Sequence, residues 1–266
     1  MIVNLAAYQF VAIDAPDALA QYVRTLAERD CLLGSVLVAD EGINLFLAGE
    51  NAATERFLIG LKADPRLADI RVKFSRSERQ PFARLKVKVK PEIIAFRRDG
   101  ASPQHARAPT VSSTLLARWI AQDCDDAGKR LVLLDTRNRE EVAHGTFDAA
   151  LTLPIDNFTE LPDALAAHRD ALADATVVSF CTGGIRCEKA ALWMRATGMD
   201  NVLQLDGGIL GYFEAVGGMG YSGDCFVFDK RIALNAQLRP RSDAAAPAPA
   251  PRCNDRSHET VQQASA

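Results

Sequence analysis

Of the six cysteines in this 266-residue chain, Cys181 stands where a thiol becomes a nucleophile. It opens the run Cys181-Thr-Gly-Gly-Ile-Arg186-Cys187, in which Thr182, Gly183, Gly184 and Ile185 separate the thiol from a guanidinium. Backbone N–H groups with no intrahelical partner, the positive end of a helix dipole and the Arg186 cation all favour a thiolate over a thiol. A cysteine in that setting is available for nucleophilic chemistry at neutral pH. Two adjacent glycines are costly in a merely structural turn, whereas a loop that wraps an anion needs backbone free of Cβ atoms. The competing reading is a buried structural cysteine, since free Cys is among the most buried residue types. Cys187 has two roles open to it: resolving a persulfide on Cys181 as a disulfide, or packing into a helix–sheet interface, the latter favoured.

A strand before the loop and a helix after it must hold these groups in place. Val177, Val178 and Phe180 favour a strand ending at Cys181, and Ala190, Ala191, Leu192 and Met194 favour a helix from Cys187 onward, with 182–186 as the loop. Further short strands at 131–134, 149–153 and 202–205 alternate with helices at 112–122, 161–168 and 208–216, the first capped by Ser112 or Ser113. This alternation predicts a parallel sheet with helices on both faces, where ligands bind beyond the C-terminal ends of the strands. Asp135 and Arg137 end the 131–134 strand at that rim, where they either support the chemistry or form a structural ion pair that fixes a loop; the ion pair is favoured. His144 reads as a surface or capping residue and Cys225 as core. Protein phosphatases place five residues between their Cys and Arg, usually with His before the Cys. Here four residues intervene and Phe180 precedes the thiol, so the cradle suits a persulfide sulfur better than a tetrahedral phosphate.

The run C-T-G-G-I-R-C-E-K-A resembles the active-site loop of the rhodanese-domain tRNA uridine hydroxylases. Other pieces match that family in its own order: D-E-G-I-N (40–44), L-K-V-K-V-K-P-E-I (85–93), L-D-T-R-N (134–138), G-T-F (145–147), P-I-D-N-F (154–158), L-D-G-G-I-L (205–210) and G-D-C-F-V-F-D (223–229). The resemblance spans about residues 1–240. It implies an enzyme that converts uridine 34, the wobble position of tRNA, to 5-hydroxyuridine, with molecular oxygen as co-substrate and a persulfide or otherwise activated sulfur at Cys181. No cofactor is evident, the electron donor is not named by the sequence, and no iron-binding triad, flavin motif or other metal site is visible. Two further readings stand beside this one: a sulfurtransferase that moves sulfane sulfur through a Cys181 persulfide, and a binding module without turnover, which would not require the intact loop. The C-terminal extension of many relatives carries paired cysteines; here only Cys253 remains.

Composition sets the frame. With 48% hydrophobic and 24% charged residues the chain reads as globular, long enough for two domains. No apolar run reaches membrane-spanning length and the N-terminus lacks a signal-peptide pattern, so a cytoplasmic protein with no membrane partner is expected. The cysteines show neither Cys-x-x-Cys pairing nor scaffold density and read as thiols. Residues 1–98 follow the order strand (3–13), helix (17–29), strand (32–39), strand (43–48), helix (54–61), strand (70–74), the split β-α-β pattern of a ferredoxin-like, acylphosphatase-like domain. A net charge of −3 directs nothing to nucleic acid, but 71–98 holds ten basic residues against Glu78 and Glu92. Lys86, Lys88, Lys90, Arg97 and Arg98 are therefore candidate tRNA contacts. Equally, the lysines alternate with Leu85, Val87 and Val89 as in any half-buried edge strand. Residues 99–111 read as a linker, 112–240 as the rhodanese-like catalytic domain, and the Pro/Ala-rich 241–266 as a tail unable to bury a core. No stable protein partner is expected.

Overall fold

The computed structural model describes residues 1–104 and 106–240; the expected tail at 241–266 lies outside them. Val3, Leu5 and Ala7 alternate with Asn4, Ala6 and Tyr8, which gives β1 (Ile2–Phe10) two distinct faces, the first set entering an apolar core. After it come α1 (Pro16–Arg29), β2 (Leu33–Ala39), β3 (Gly42–Gly49), α2 (Asn51–Lys62) and β4 (Val72–Ser77). The strands assemble antiparallel in the order β4-β1-β3-β2, and β5 (Leu85–Val89) joins β2 in parallel at the outer edge. Both helices cover one face: Leu19, Val23 and Phe57 are buried with Leu5, Val36 and Leu45. β1 stops at Phe10, short of the expected 13, although Ile13 is still buried in the core. β4 runs later than expected because its pairing with β1 extends from Val72 opposite Ala7 to Ser77 opposite Ile2.

The second half contains β6 (Thr110–Val111), α3 (Ser113–Gln122), β7 (Leu131–Asp135), α4 (Arg139–Val142), β8 (Gly145–Phe147), β9 (Leu151–Thr152), α5 (Leu161–Ala166), α6 (Arg169–Leu172), β10 (Thr176–Phe180), α7 (Ile185–Ala196), β11 (Val202–Leu205) and α8 (Gly208–Val216). Five of these strands form an all-parallel sheet in the order β6-β11-β10-β7-β9. β10 lies at its centre and is buried throughout, as its run of apolar residues requires. One apolar cluster, with Leu116, Phe147 and Tyr212, packs on one side; another, with Leu134, Phe158 and Met194, packs on the other. Ser112 caps α3 by accepting from the Leu115 N–H. Within 99–111, Ala101 and Ala108 are buried and Thr110–Val111 completes the sheet. No helix among the described residues is long and apolar enough to cross a membrane.

Buried charges couple the two halves. Lys189 on α7 pairs with Glu41 at 2.8 Å and Glu92 at 3.4 Å, and donates to the Ile94 carbonyl. Glu188 accepts from the Tyr8 hydroxyl, Arg107 and Gln204. The acidic residues of the 40–44 and 85–93 motifs therefore seat α7, the helix that follows the Cys181 loop, against the first domain.

Candidate active site

Because β10 is central and ends at Phe180, Cys181 projects from the C-terminal rim of the parallel sheet, at the wall of a cavity of about 1220 Å³. Opposite walls come from the helix-free face of the first sheet, including Tyr8, Phe46 and Lys73. α7 begins at Ile185, two residues earlier than the sequence pattern predicts, so Arg186 lies in its first turn and not in the loop. Gly184 is the N-cap, with φ 102°, a conformation that a residue with a Cβ rarely adopts; there a Cβ would also lie 2.9 Å from the Tyr8 hydroxyl. Gly208, at the start of α8, is packed still more tightly. A Cβ at Gly208 would come within 2.5 Å of the Cys181 carbonyl oxygen and 2.7 Å of the Gly184 nitrogen. α8 holds the loop from below by donating from Ile209 N–H to the Cys181 carbonyl and from Leu210 N–H to Thr182.

The electrostatics favour the thiolate. Burial pushes the Cys181 thiol up, but the Cys187 thiol hydrogen bond, the Arg186 charge and the backbone N–H groups of Arg186 and Gly184 outweigh it and bring its pKa down to about 6. The Gly184 N–H stands 3.2 Å from Sγ. Cys187, fully buried, has its own pKa pushed well up by burial and by the neighbouring Cys181. Its side chain is buried behind the loop, with the sulfur 3.6 Å from Thr136 Oγ1. Alkylation of Cys181 by iodoacetamide is expected to rise with pH around a midpoint near 6, with the thiolate form already dominant at pH 7. A stopped-flow profile with a midpoint near an ordinary thiol value would contradict that geometry.

Arg186 is not a lone cation. Its guanidinium binds both carboxylate oxygens of Glu141 at 2.5 and 2.6 Å, with both side chains buried, and Thr182 Oγ1 also donates to Glu141 at 3.3 Å. Arg186 holds Glu141 ionised below the usual carboxylate range despite its burial. Asp135 and Arg137 form a second pair, fully buried and bidentate, which also grips Thr146 and the Gly145 carbonyl. These contacts shape the loop after β7; neither residue lines the cavity. Between the two pairs, Thr136 Oγ1 lies 3.6 Å from the Cys187 sulfur.

Two descriptions of known families match the chain: the UPF0176 acylphosphatase like domain over residues 2–93 and the Rhodanese-like domain over 116–215. Likeness across most of the chain decides the matter. A tRNA uridine(34) hydroxylase of Xanthomonas campestris pv. campestris (strain B100) is 67% identical over 92% of this chain and 97% of its own. The chain belongs to the tRNA uridine(34) hydroxylase family. Relatives of the same name include one from Xanthomonas oryzae pv. oryzae (strain PXO99A), 65% identical over 93% of this chain and 98% of its own, and one from Xylella fastidiosa (strain M23), 62% identical over 91% and 95%.

For this member of the hydroxylase family the structure brings together Cys181, Thr182, Gly183, Ile185 and Arg186 along one cavity wall, with Cys187 behind them. Of the basic candidates, Arg97 lines the cavity while Arg98 pairs with Asp163 at 3.6 Å. Lys86, Lys88 and Lys90 are exposed on and beside the edge strand β5, outside the cavity. The His144 ring lies tilted against Phe226 with centroids 5.2 Å apart, and Cys225 is buried core with its thiol pushed up to about 12 by burial. Cys124, Cys181, Cys187 and Cys225 are free thiols. Cys31 is disulfide-bonded, against the reading of it as a thiol; a single cysteine outside any spacing pattern carries no local signal of its partner.

Sequence reading missed Glu141 and Tyr8. The four-residue α4 is too short for periodicity, but Asn138 and Glu141 stand at capping-box spacing, a signal that could have placed a helix there. Tyr8 carries no such signal, because only the docked domains bring its hydroxyl over Gly184. Substituting Gly208→Ala is expected to displace the loop, lower hydroxylation and raise the Cys181 pKa toward an ordinary thiol, since backbone atoms that bind the sulfur would have to move. Unchanged activity and alkylation in that variant would show that the loop does not rest on α8.

Proposed function

We propose that this chain hydroxylates C5 of uridine 34 in tRNA with molecular oxygen, and that Cys181, as thiolate or persulfide, is the reactive centre. The observation that carries the reading is a cysteine whose sulfur accepts from the Gly184 N–H at 3.2 Å on the wall of a cavity lined by both domains, in a chain of this family. Hydroxylation by dioxygen takes up two electrons and two protons, supplied by an external thiol reductant that leaves as its disulfide, and releases water. Cys181 supplies the nucleophilic sulfur, the Gly184 and Arg186 N–H groups hold its negative charge, and Arg186, fixed by Glu141, adds a cation that need not reorganise during reaction. Cys187 offers a proton donor beside that sulfur. The cavity is larger than a small-molecule site needs and suits a flipped or unstacked nucleotide. The exposed lysines of β5 extend a cationic surface from this site toward the body of a tRNA.

Nucleoside mass spectrometry of tRNA from cells with and without the gene tests the reading. Loss of 5-hydroxyuridine and its derivatives on deletion, restored by the wild-type gene, is the expected result. Unchanged 5-hydroxyuridine in a host with no parallel enzyme, together with sulfur transfer from thiosulfate by the purified protein, would favour the sulfurtransferase reading.

A further inference from the structure

We propose that the helix-free face of the first sheet is the bed on which the anticodon strand lies: Lys73 holds the phosphate beside the nucleotide presented to Cys181, Phe46 stacks under a neighbouring base, and Lys86 holds the backbone where it leaves the protein. The inference rests on the tRNA reading above and adds where the RNA runs.

One cross-strand row carries it. Lys73 lies opposite Ala6, Ala6 opposite Phe46, Phe46 opposite Ser35, and Ser35 opposite Lys86. Directly opposed residues share a face of the sheet. This is the face away from the helices, because the residues flanking Phe46, Leu45 and Leu47, enter the helix-covered core. With neighbouring strands about 4.8 Å apart, four steps separate the two cations by about 19 Å, a span of several nucleotides. The Lys73 end and Phe46 line the cavity that holds Cys181, while Lys86 is exposed at the sheet edge.

The inner end of the row is short of an anion. Lys73 is half-buried, its ammonium set into a slot on α8 where a Cβ at Gly207 or Gly211 would approach to 2.8 Å. Burial pushes its pKa down, opposed by the more distant Glu214 and Asp206. Yet among the described residues its ammonium makes no hydrogen bond or ion pair, and the Asp206 carboxylate is bound by Arg71 at 3.1 Å. Withdrawing a cation from water without a bonded counter-charge is costly, and a phosphodiester would offset that cost. A half-buried aromatic on an open sheet face between two cations provides what a single strand needs, a ring for a base and charge for its backbone.

The test titrates a labelled anticodon stem–loop RNA containing uridine 34 at several salt concentrations. Lys73→Met and Lys86→Met should each weaken binding and lower the slope of log affinity against log salt by about 0.7. Phe46→Ala should weaken binding roughly tenfold with the slope unchanged. Should that variant fold poorly, Phe46→Tyr retaining affinity where Phe46→Leu loses it makes the same point. Lys62→Met, on α2 at the opposite face, should bind as wild type. Wild-type protein that fails to hydroxylate the RNA would count against the proposed function. Wild-type hydroxylation combined with unaltered RNA affinity in Lys73→Met and in the Phe46 variants would overturn the bed. So would a Lys73→Met defect confined to persulfide formation from thiosulfate, which would assign the cation to a small sulfur-donor anion.

Discussion

Cys181→Ser is expected to abolish 5-hydroxyuridine formation, by roughly three orders of magnitude or more, while leaving the fold in place. A hydroxyl of nearly the same size fills the site on the sheet rim and can accept from the Gly184 N–H, so packing and loop geometry persist. It cannot become a thiolate at neutral pH or carry a sulfane sulfur, so the chemistry is lost. Unfolding free energy should change by no more than about 1 kcal/mol, the range of a near-isosteric replacement. Tight tRNA binding by an inactive variant is the expected combination. Residual hydroxylation near the wild-type rate would remove Cys181 from the mechanism.

Removing the cation beside it is expected to act mainly on stability. Arg186→Ala would leave Glu141 buried without its counter-charge, held only by the Asn138 N–H and the Thr182 hydroxyl, and breaking a buried pair from one side costs about 3–5 kcal/mol. At about 2–4 °C per kcal/mol for a chain of this size, thermal unfolding should drop by roughly 6–20 °C. The surviving folded protein should show a Cys181 alkylation midpoint shifted upward, because Arg186 holds the thiolate down both by its charge and by its position. Arg186→Met combined with Glu141→Gln should recover much of the stability, since a neutral pair leaves no buried charge. It should shift the midpoint less than Arg186→Ala, because both signs of charge are withdrawn together. Calorimetry and alkylation profiles on the single and double variants separate these effects. A single variant as stable as wild type would mean that the pair is not buried in solution.

What could be read from the sequence follows the range of the interactions concerned. The Cys181 loop is local: strand formers, two glycines and a helix-forming run sit within twenty residues, so nucleophile, cradle and cation are visible together. The ferredoxin-like order of the first domain was likewise visible, because β2 alternates, β3 is a bounded apolar run and α1 carries an apolar stripe. Asp135 and Arg137 were recognisable as a pair, since a bidentate contact between residues two apart is also local. Where the first turn of α7 begins was not legible, because Gly184 caps it in a left-handed conformation that depends on the Tyr8 hydroxyl and α8 packing around it. Glu141 is forty residues from the loop it steadies, and Tyr8 and Lys73 reach the cavity only through domain docking. Charge counting found the 71–98 segment, but not that Lys73 faces the cavity while Lys86, Lys88 and Lys90 stand outside it; strand register decides that.

The most direct measurement is the mass of the modified nucleoside after purified protein and unmodified tRNA are incubated under ¹⁸O₂ with a thiol reductant, with Cys181→Ser in parallel. The proposed function requires 5-hydroxyuridine at position 34 carrying one heavy oxygen with wild-type protein and none with the variant. Hydroxylation that persists in Cys181→Ser, or a wild-type product whose new oxygen comes from water, would contradict it.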